Sequence, residues 1–561
     1  MELTYFTQNE RQKCFDSREV RVLMSNTIRK RIVSAGLFLV MSLGLLNGCS
    51  LTQNSSEQTT STGTTASAAA SAGTTATTDA MVTADAVSKE EMKTPKYIFL
   101  FIGDGMSYVQ TNAAQVYLGN NTEGEIATKS LNFTQFPVIG NVTTYDSTSF
   151  CPDSASTATA LSCGVKTHSG VVGLEADKMT QPESITELLK QEGMKIGVVS
   201  TVTINHATPA AFYSHVISRN DYYQIAMQMA TSDVDYFGGG SVNKSTGSDK
   251  SYTDAYSIIE NKGYTIADTN EEILALGSSS GKCYALSPVL QDSGSIPYAI
   301  DAGADDLTFA DYVSTGIEVL DNDNGFFMMC ESGKIDWACH ANDAMTTIQE
   351  VIDFSDGIQC AIDFAAEHPD ETLILVTGDH ETGGMTIGYA STGYDTAFDL
   401  LGKQTMSYVA FDELVVEMKE ANPDVTLADF LPVIKDTFGL IAPSDPDAAV
   451  EANADYVMTE YEYEKLENAF AESMLPEEER SETEETSVLY GGYDPISVTL
   501  THIINNKAGI GWTSYSHTGT PVAFYAMGAS AELFAGTYDN TDVFYKMLEA
   551  AGCTAEATTA A

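Results

Sequence analysis

The chain has 561 residues, 43% of them hydrophobic, so it is long enough to bury one large core or two. Its 78 Asp and Glu against 28 Lys and Arg give a formal net charge of −50, which argues against nucleic acid as a partner because a phosphate backbone would be repelled. An anionic small substrate would need bound divalent cations and a local arginine to invert the field inside a cleft.

In chain order, the first feature is a targeting segment. Arg29-Lys30-Arg31 precede an apolar run from Ile32 to Leu46, and Asn47-Gly48-Cys49 follow. A basic stretch, an apolar stretch and a small residue before a break make a secretory signal. A cysteine directly after that small residue resembles the lipobox of bacterial lipoproteins, in which cleavage leaves Cys49 as a lipidated N-terminus. The residues before Met24 carry no signal character, so residues 1–48 are read as a signal segment whose translation starts at Met24. The expected location is extracytoplasmic, at the cell surface or in the periplasm, with the membrane reached through the lipid. No other stretch is long and apolar enough to span a bilayer. Residues 49–92 are rich in Ser, Thr, Ala and Gly, cannot bury a core, and read as a flexible tether.

The globular part, 93–561, opens at Pro95 with a short apolar run, Tyr97 to Ile102, which suits a strand buried on both faces of a parallel sheet. Similar runs recur at Ile196–Val202, Phe326–Met329, Thr372–Val376 and Val522–Ala526. Between them lie helical patterns. One runs from about Asn342 to Ala366 with Ile348, Val351, Ile352, Ile358 and Ile362 at helical spacing. Strands alternating with helices predict an α/β fold, a central, mainly parallel β-sheet sandwiched between helices. From about 390 to 490 the pattern turns acidic, with helical spacings at Leu427, Phe430, Leu431 and Ile434, and reads as a helical insertion that is either a lid or a contact element. The run Glu477–Glu485 reads as a solvated helix or loop. Asp321–Gly325 lacks the downstream Glu of a calcium loop and reads as a turn. The nine cysteines show no CxxC zinc pairing, and no disulfide is assignable.

Polar residues fall where the apolar runs stop. The first run ends in Gly103-Asp104-Gly105; the run at Phe326 ends in Cys330-Glu331, then Asp336 and His340; the run at Thr372 ends in Gly378-Asp379-His380-Glu381. Ligands of open α/β sheets bind beyond the carboxyl ends of the strands, so three strands deliver Asp, Glu and His to one edge. One Asp after a strand is more often a helix cap, but caps do not explain the set. His with Asp is a zinc set, and an all-oxygen set suits magnesium. Asp336 and His340, four apart, would share one face of a helical turn. Ser154, followed by small residues, is the candidate nucleophile at a helix start, where an anion is favoured; the alternative is that Asp153 or Ser154 only caps that helix.

Six motifs together resemble the alkaline phosphatase family: Gly103-Asp104-Gly105-Met106, Pro152-Asp153-Ser154-Ala155, His206 to Ala210 leading to Ser218-Arg219, Glu331 to His340, Thr377 to Gly384, and His517-Thr518-Gly519. The likeness runs from about Pro95 to Ala550 and is weakest in the acidic insertion. It implies hydrolysis of small phosphate monoesters through a phosphoserine at Ser154, with two zinc ions and one magnesium ion. The implied first zinc site is Asp336, His340 and His517; the second is Asp104, Asp379 and His380 with the Ser154 oxygen; the magnesium site is Asp104, Thr208 and Glu331. Arg219 would grip two phosphate oxygens with its planar fork. Members are often homodimers, though no interface is legible here.

Two positions depart from the best-known bacterial form, which has Asp in place of His206 and Lys in place of Trp337; other members carry His and Trp there. Contacts around magnesium and phosphate would differ accordingly. Phosphodiesterases and sulfatases of the same superfamily are the nearest alternatives. Ser154-Ala155-Ser156-Thr157-Ala158 lacks the sulfatase pattern, and Ser154, Glu331 and Arg219 favour monoesters over diesters. A non-catalytic metal-binding surface protein is the alternative of another class.

Overall fold

The computed structural model describes residues 93–120 and 126–553; the signal segment, Cys49 and the tether read from the sequence lie outside the described residues. Fourteen strands are present among them: β1 Tyr97–Gly103, β2 Val138–Thr143, β3 Lys195–Ser200, β4 Tyr236–Gly239, β5 Thr265–Ala267, β6 Cys283–Leu286, β7 Phe326–Ser332, β8 Thr372–Gly378, β9 Glu381–Thr382, β10 Thr386–Ile387, β11 Ile510–Gly511, β12 His517–Thr518, β13 Val522–Gly528 and β14 Gly536–Asp539. Ten of them form one sheet in the order β14-β2-β13-β8-β1-β7-β3-β4-β6-β5. β13 runs antiparallel to both β2 and β8, and every other pairing in this sheet is parallel. The expected mainly parallel sheet is therefore present, with each long apolar run forming a strand.

β1, β7 and β8 are buried along their whole length, as two-sided packing requires. Alternate residues of β1 serve opposite faces. Tyr97, Phe99 and Phe101 join one hydrophobic cluster with Phe309, Ile348, Phe354 and Ile358. Ile98, Leu100 and Ile102 join another with Ala158, Leu189, Ile225 and Phe544. The first face is covered by helices that include Phe309–Leu320 and Ala344–Glu367, the second by Ser154–Cys163, Ile185–Gln191, Tyr222–Met229 and Asn540–Ala550. The helix expected near Asn342–Ala366 is Ala344–Glu367, capped by the Asp343 side chain on Thr346 N.

The acidic insertion is helical, with Tyr408–Ala421, Leu427–Phe438, Glu460–Ser473 and Glu484–Tyr490 as its main helices. Its apolar residues Phe398, Phe411, Phe430, Ile434 and Leu466 belong to the same cluster as Phe99 and Phe101, so it shares the core of that face. Of the acidic run, Glu477–Glu479 is a single 3-10 turn and Glu484 opens the last of those helices. Asp321–Gly325 is a turn held by the Asn322 side chain on Leu320 O and Gly325 O. The seven described cysteines are unpaired. Among the described residues, no helix is long and apolar enough to cross a membrane.

Register decides where the chemistry falls. Gly103 of β1 pairs with Ser332 of β7 and Gly378 of β8, and Ser200 of β3 pairs with Glu331. Parallel strands so aligned end together, and the residues that follow them meet along one edge.

Candidate active site

Asp104 and Asp379 each follow the last glycine of a strand, while Glu331 is the penultimate residue of β7. All three are buried, as is His380. His380 Nε2 lies 3.3 Å from Asp104 Oδ1 and 3.4 Å from Asp379 Oδ2. Asp379 is fixed from two sides: Oδ1 accepts from His380 N at 2.8 Å and Gly105 N at 3.2 Å, and Oδ2 accepts from Thr157 Oγ1 at 3.0 Å. Thr208 Oγ1 lies 3.4 Å from Asp104 Oδ2, and Glu331 accepts from Ser200 Oγ. Asp336 and His340 sit on the helix Lys334–His340, with Nε2 3.3 Å from Oδ2, as their spacing predicted. Gly383 and Gly384, at φ +85° and +61°, turn the chain after β9. The pairing of β9 with β12 then brings His517 against this group, 3.6 Å from Asp336 Oδ1.

The histidine tautomers follow from their partners. His340 Nδ1 lies 2.6 Å from Tyr515 O, and His517 Nδ1 lies 2.6 Å from Pro152 O. A carbonyl only accepts, so each Nδ1 carries a proton and donates it. The two Nε2 atoms then face each other at 3.1 Å. Such a pair needs a proton or a metal ion between its lone pairs, and the Asp336 carboxylate beside it completes a nitrogen–oxygen donor set of the zinc kind.

Ser154 is the first residue of the helix Ser154–Cys163, and Asp153 is its cap, accepting from Ser156 N at 3.1 Å. The capping alternative thus holds for Asp153, but the same carboxylate also accepts from Arg219 Nη1 at 2.9 Å through its other oxygen. Ser154 Oγ is buried and lies 3.2 Å from His380 Nε2. Arg219 Nη2 lies 3.4 Å from His206 Nε2, and the His206 ring meets Trp337 edge-on at 5.9 Å. Burial, with Arg219 nearby, pushes His206 down to about 3, so that ring is neutral.

The acids are crowded beyond what water-free surroundings tolerate. Burial, reinforced by Asp379 and Asp336, pushes Asp104 well above the usual carboxylate range. Burial also lifts Glu331 to about 8 and Asp379 to about 6. It would raise Asp336 too, but His340 and His517 hold that carboxyl well below its usual range. Among the described residues, Asp104 Oδ1 and Glu331 Oε1 are buried with no hydrogen-bond partner. Such atoms are costly unless a cation meets them. Two groups, Asp336-His380-His517 and Asp104-Asp379-His380, bring ligand atoms within 4.8 Å of one another. The residues fit divalent metals, with an all-oxygen corner at Asp104, Thr208 and Glu331.

A buried donor set of this kind beside a helix-borne serine defines a metal-binding hydrolytic centre. The alkaline phosphatase family profile matches residues 95–553. Alkaline phosphatase 3 of Bacillus subtilis (strain 168) is 30% identical over 465 residues, covering 81% of this chain and 88% of that protein. The cold-active alkaline phosphatase from Shewanella sp. superposes with a TM-score of 0.66 at 27% identity, covering 81% of this chain and 99% of its own. A histidine-to-aspartate variant of the alkaline phosphatase from the Antarctic bacterium TAB5, solved with Mg bound in its M3 site, superposes at 0.56 with 26% identity, covering 83% of this chain and 100% of its own. This chain belongs to the alkaline phosphatase family. It is a phosphatase, with residues arranged to bind metal.

Every candidate site residue among the described residues is in or beside this centre. Several supports of the site carry little signal in the sequence. Thr157 lies three residues after Ser154 on the same helix, a spacing that could have signalled it. Thr382, which donates to Asp336 Oδ1, lies inside the motif Thr377 to Gly384. The carbonyls of Pro152 and Tyr515 carry no residue-type signal at all.

Protonation gives the crowding a measurable signature. Glu331 at about 8, against an ordinary 4.5, keeps in the metal-free fold a proton that the unfolded chain releases, so stability falls as pH rises through 8. His380 and His517, pushed by burial to about 4 and about 3 from 6.5, act with opposite sign and only below 6.5. Between pH 6.5 and about 8, melting temperature should therefore drop in the chelated protein and hold steady in the metal-loaded one. Thermal unfolding followed by circular dichroism checks this; parallel curves for the two forms would contradict it.

Proposed function

We propose that this chain hydrolyses small phosphate monoesters through a phosphoserine on Ser154, with two zinc ions and one magnesium ion bound. The observation that carries the reading is Ser154 Oγ, at the first turn of its helix and 3.2 Å from His380 Nε2, inside the carboxylate–histidine cluster. Asp336, His340 and His517 would hold one zinc, and Asp104, Asp379 and His380 the other. Asp104, Thr208 and Glu331 would hold magnesium; magnesium in the M3 site of the TAB5 variant supports that choice. Bound metals would supply Lewis acidity at the serine and leaving oxygens and offset the cluster's negative charge.

The chain's own residues do the rest. Deprotonated Ser154 Oγ attacks phosphorus; the Ser–O–P bond forms as the bond to the leaving oxygen breaks, and the departing alcohol takes up a proton. Water then attacks the phosphoserine, the Ser–O–P bond breaks, and inorganic phosphate leaves. Arg219 is held by Asp153, a pair in which attraction outweighs burial, raising the guanidinium and lowering the carboxyl. So fixed, its fork meets charge on the phosphoryl oxygens, which is where stabilisation matters most.

We place this activity outside the cytoplasm, with Cys49 as a lipid anchor, on the order of basic, apolar and small residues before that cysteine. Metabolic labelling with palmitate should mark the parent chain and not Cys49→Ser, which should appear in the medium; label retained in the variant would refute the anchor.

Hydrolysis of a chromogenic aryl phosphate at alkaline pH tests the catalytic reading. Activity should vanish on chelation and return with zinc and magnesium. Ser154→Ala should lose on the order of 10³-fold or more in kcat with zinc content unchanged, and Arg219→Ala about 10²-fold in kcat/KM. Full activity of Ser154→Ala, or a preference for diesters, would contradict it.

A further inference from the structure

Among the described residues, the acidic insertion contributes none to the carboxylate–histidine cluster, yet it contacts the segment that follows the helix bearing Asp336 and His340. The helix Lys334–His340 is followed by Ala341, Asn342 and Asp343. Asp343 Oδ2 accepts from Tyr408 N at 3.0 Å and its Oδ1 from Gln404 Nε2 at 2.8 Å, both from the insertion. Asn342 Nδ2 donates to Ser514 O at 2.9 Å, and Asn505 Nδ2 donates to the Asn342 carbonyl at 2.7 Å.

Tyr515, next to Ser514, touches both the insertion and His340. Its carbonyl accepts the His340 Nδ1 proton at 2.6 Å. Its phenol donates to Leu489 O at 2.6 Å, in the last turn of the insertion helix Glu484–Tyr490. Its ring lies on Gly491, which ends that helix at φ +61°; a Cβ there would sit 2.2 Å from Tyr515 Cγ. A left-handed glycine is an ordinary helix stop, but here the absent side chain is also the seat for a ring. Tyr493 and His502 flank the ring at 6.2 Å and 5.9 Å.

We propose that Tyr515 is a positioning residue through which the acidic insertion orients His340, and with it the metal site of Asp336, His340 and His517. The inference rests on reading that trio as a zinc site. Outer partners that hold the far nitrogen of a ligating histidine set its tautomer and aim. Fixing the phenol on Leu489 and the ring on Gly491 fixes the backbone of Tyr515, and its carbonyl then holds the ring whose Nε2 faces His517. The other site is supported elsewhere, with Gly105 N and Thr157 Oγ1 on Asp379. Disturbing Tyr515 should therefore weaken one site and spare the other.

The test is zinc competition against a chromophoric chelator, using the purified full chain stripped of metal and titrated with zinc. The parent should show two zinc affinities, one of them removed by His517→Asn. In Tyr515→Phe that same affinity should fall about tenfold while the other stays. Gly491→Ala, which displaces the ring, should lower it at least as far; should that variant not fold, Tyr515→Phe decides alone. The melting temperature of the metal-free Tyr515→Phe protein should match the parent. Unchanged zinc affinities in Tyr515→Phe, or both falling together with that melting temperature, would overturn the inference. A parent that binds no zinc would instead remove the zinc-site reading, and the inference with it.

Discussion

The structure is organised around one electrostatic problem: Asp104, Glu331, Asp336 and Asp379 are buried together at a sheet edge with His340, His380 and His517 close by. Isolated buried carboxylates are too costly to ionise, and several in contact cannot all do so without cations. Cations that bind the folded form and not the unfolded chain would relieve this cost and stabilise the fold by mass action. The proposed cations would also reconcile a net charge of −50 with an anionic substrate. A net charge of −50 repels phosphate at long range, while the proposed metals and the Arg219 guanidinium, held by Asp153, would attract it locally.

Much of this was legible in the sequence because burial and chemistry leave different marks. The runs at Tyr97, Phe326 and Thr372 are apolar at every position, and only two-sided burial explains them, so a parallel sheet followed. Where each run stops, Asp, Glu or His appears, and register does the rest: Gly103, Ser332 and Gly378 align. β4, β5 and β6 were not legible, since three or four residues give too short a pattern to separate from a turn. The insertion was legible as helical and acidic, but its docking was not. Phe430 and Ile434 read as the apolar face of any amphipathic helix, and only the fold shows that they enter the main core, together with Phe398 and Phe411.

Within the site, residue types announced the inward-facing side chains and were silent about their supports. Backbone atoms do the holding at Pro152 and Tyr515, and a carbonyl is the same on every residue. Asp153 shows a different limit. Its capping role and its contact with Arg219 were alternatives in the sequence and coexist in the structure, because a carboxylate has two oxygens and each serves one partner.

The proposal that the buried acids and histidines form two adjacent zinc sites can be checked by diffraction from crystals of the purified protein at the zinc absorption edge. Two anomalous peaks are predicted, one bounded by Asp336, His340 and His517, the other by Asp104, Asp379 and His380. No peak at this edge of the sheet, or zinc located elsewhere on the chain, would rule these two sites out.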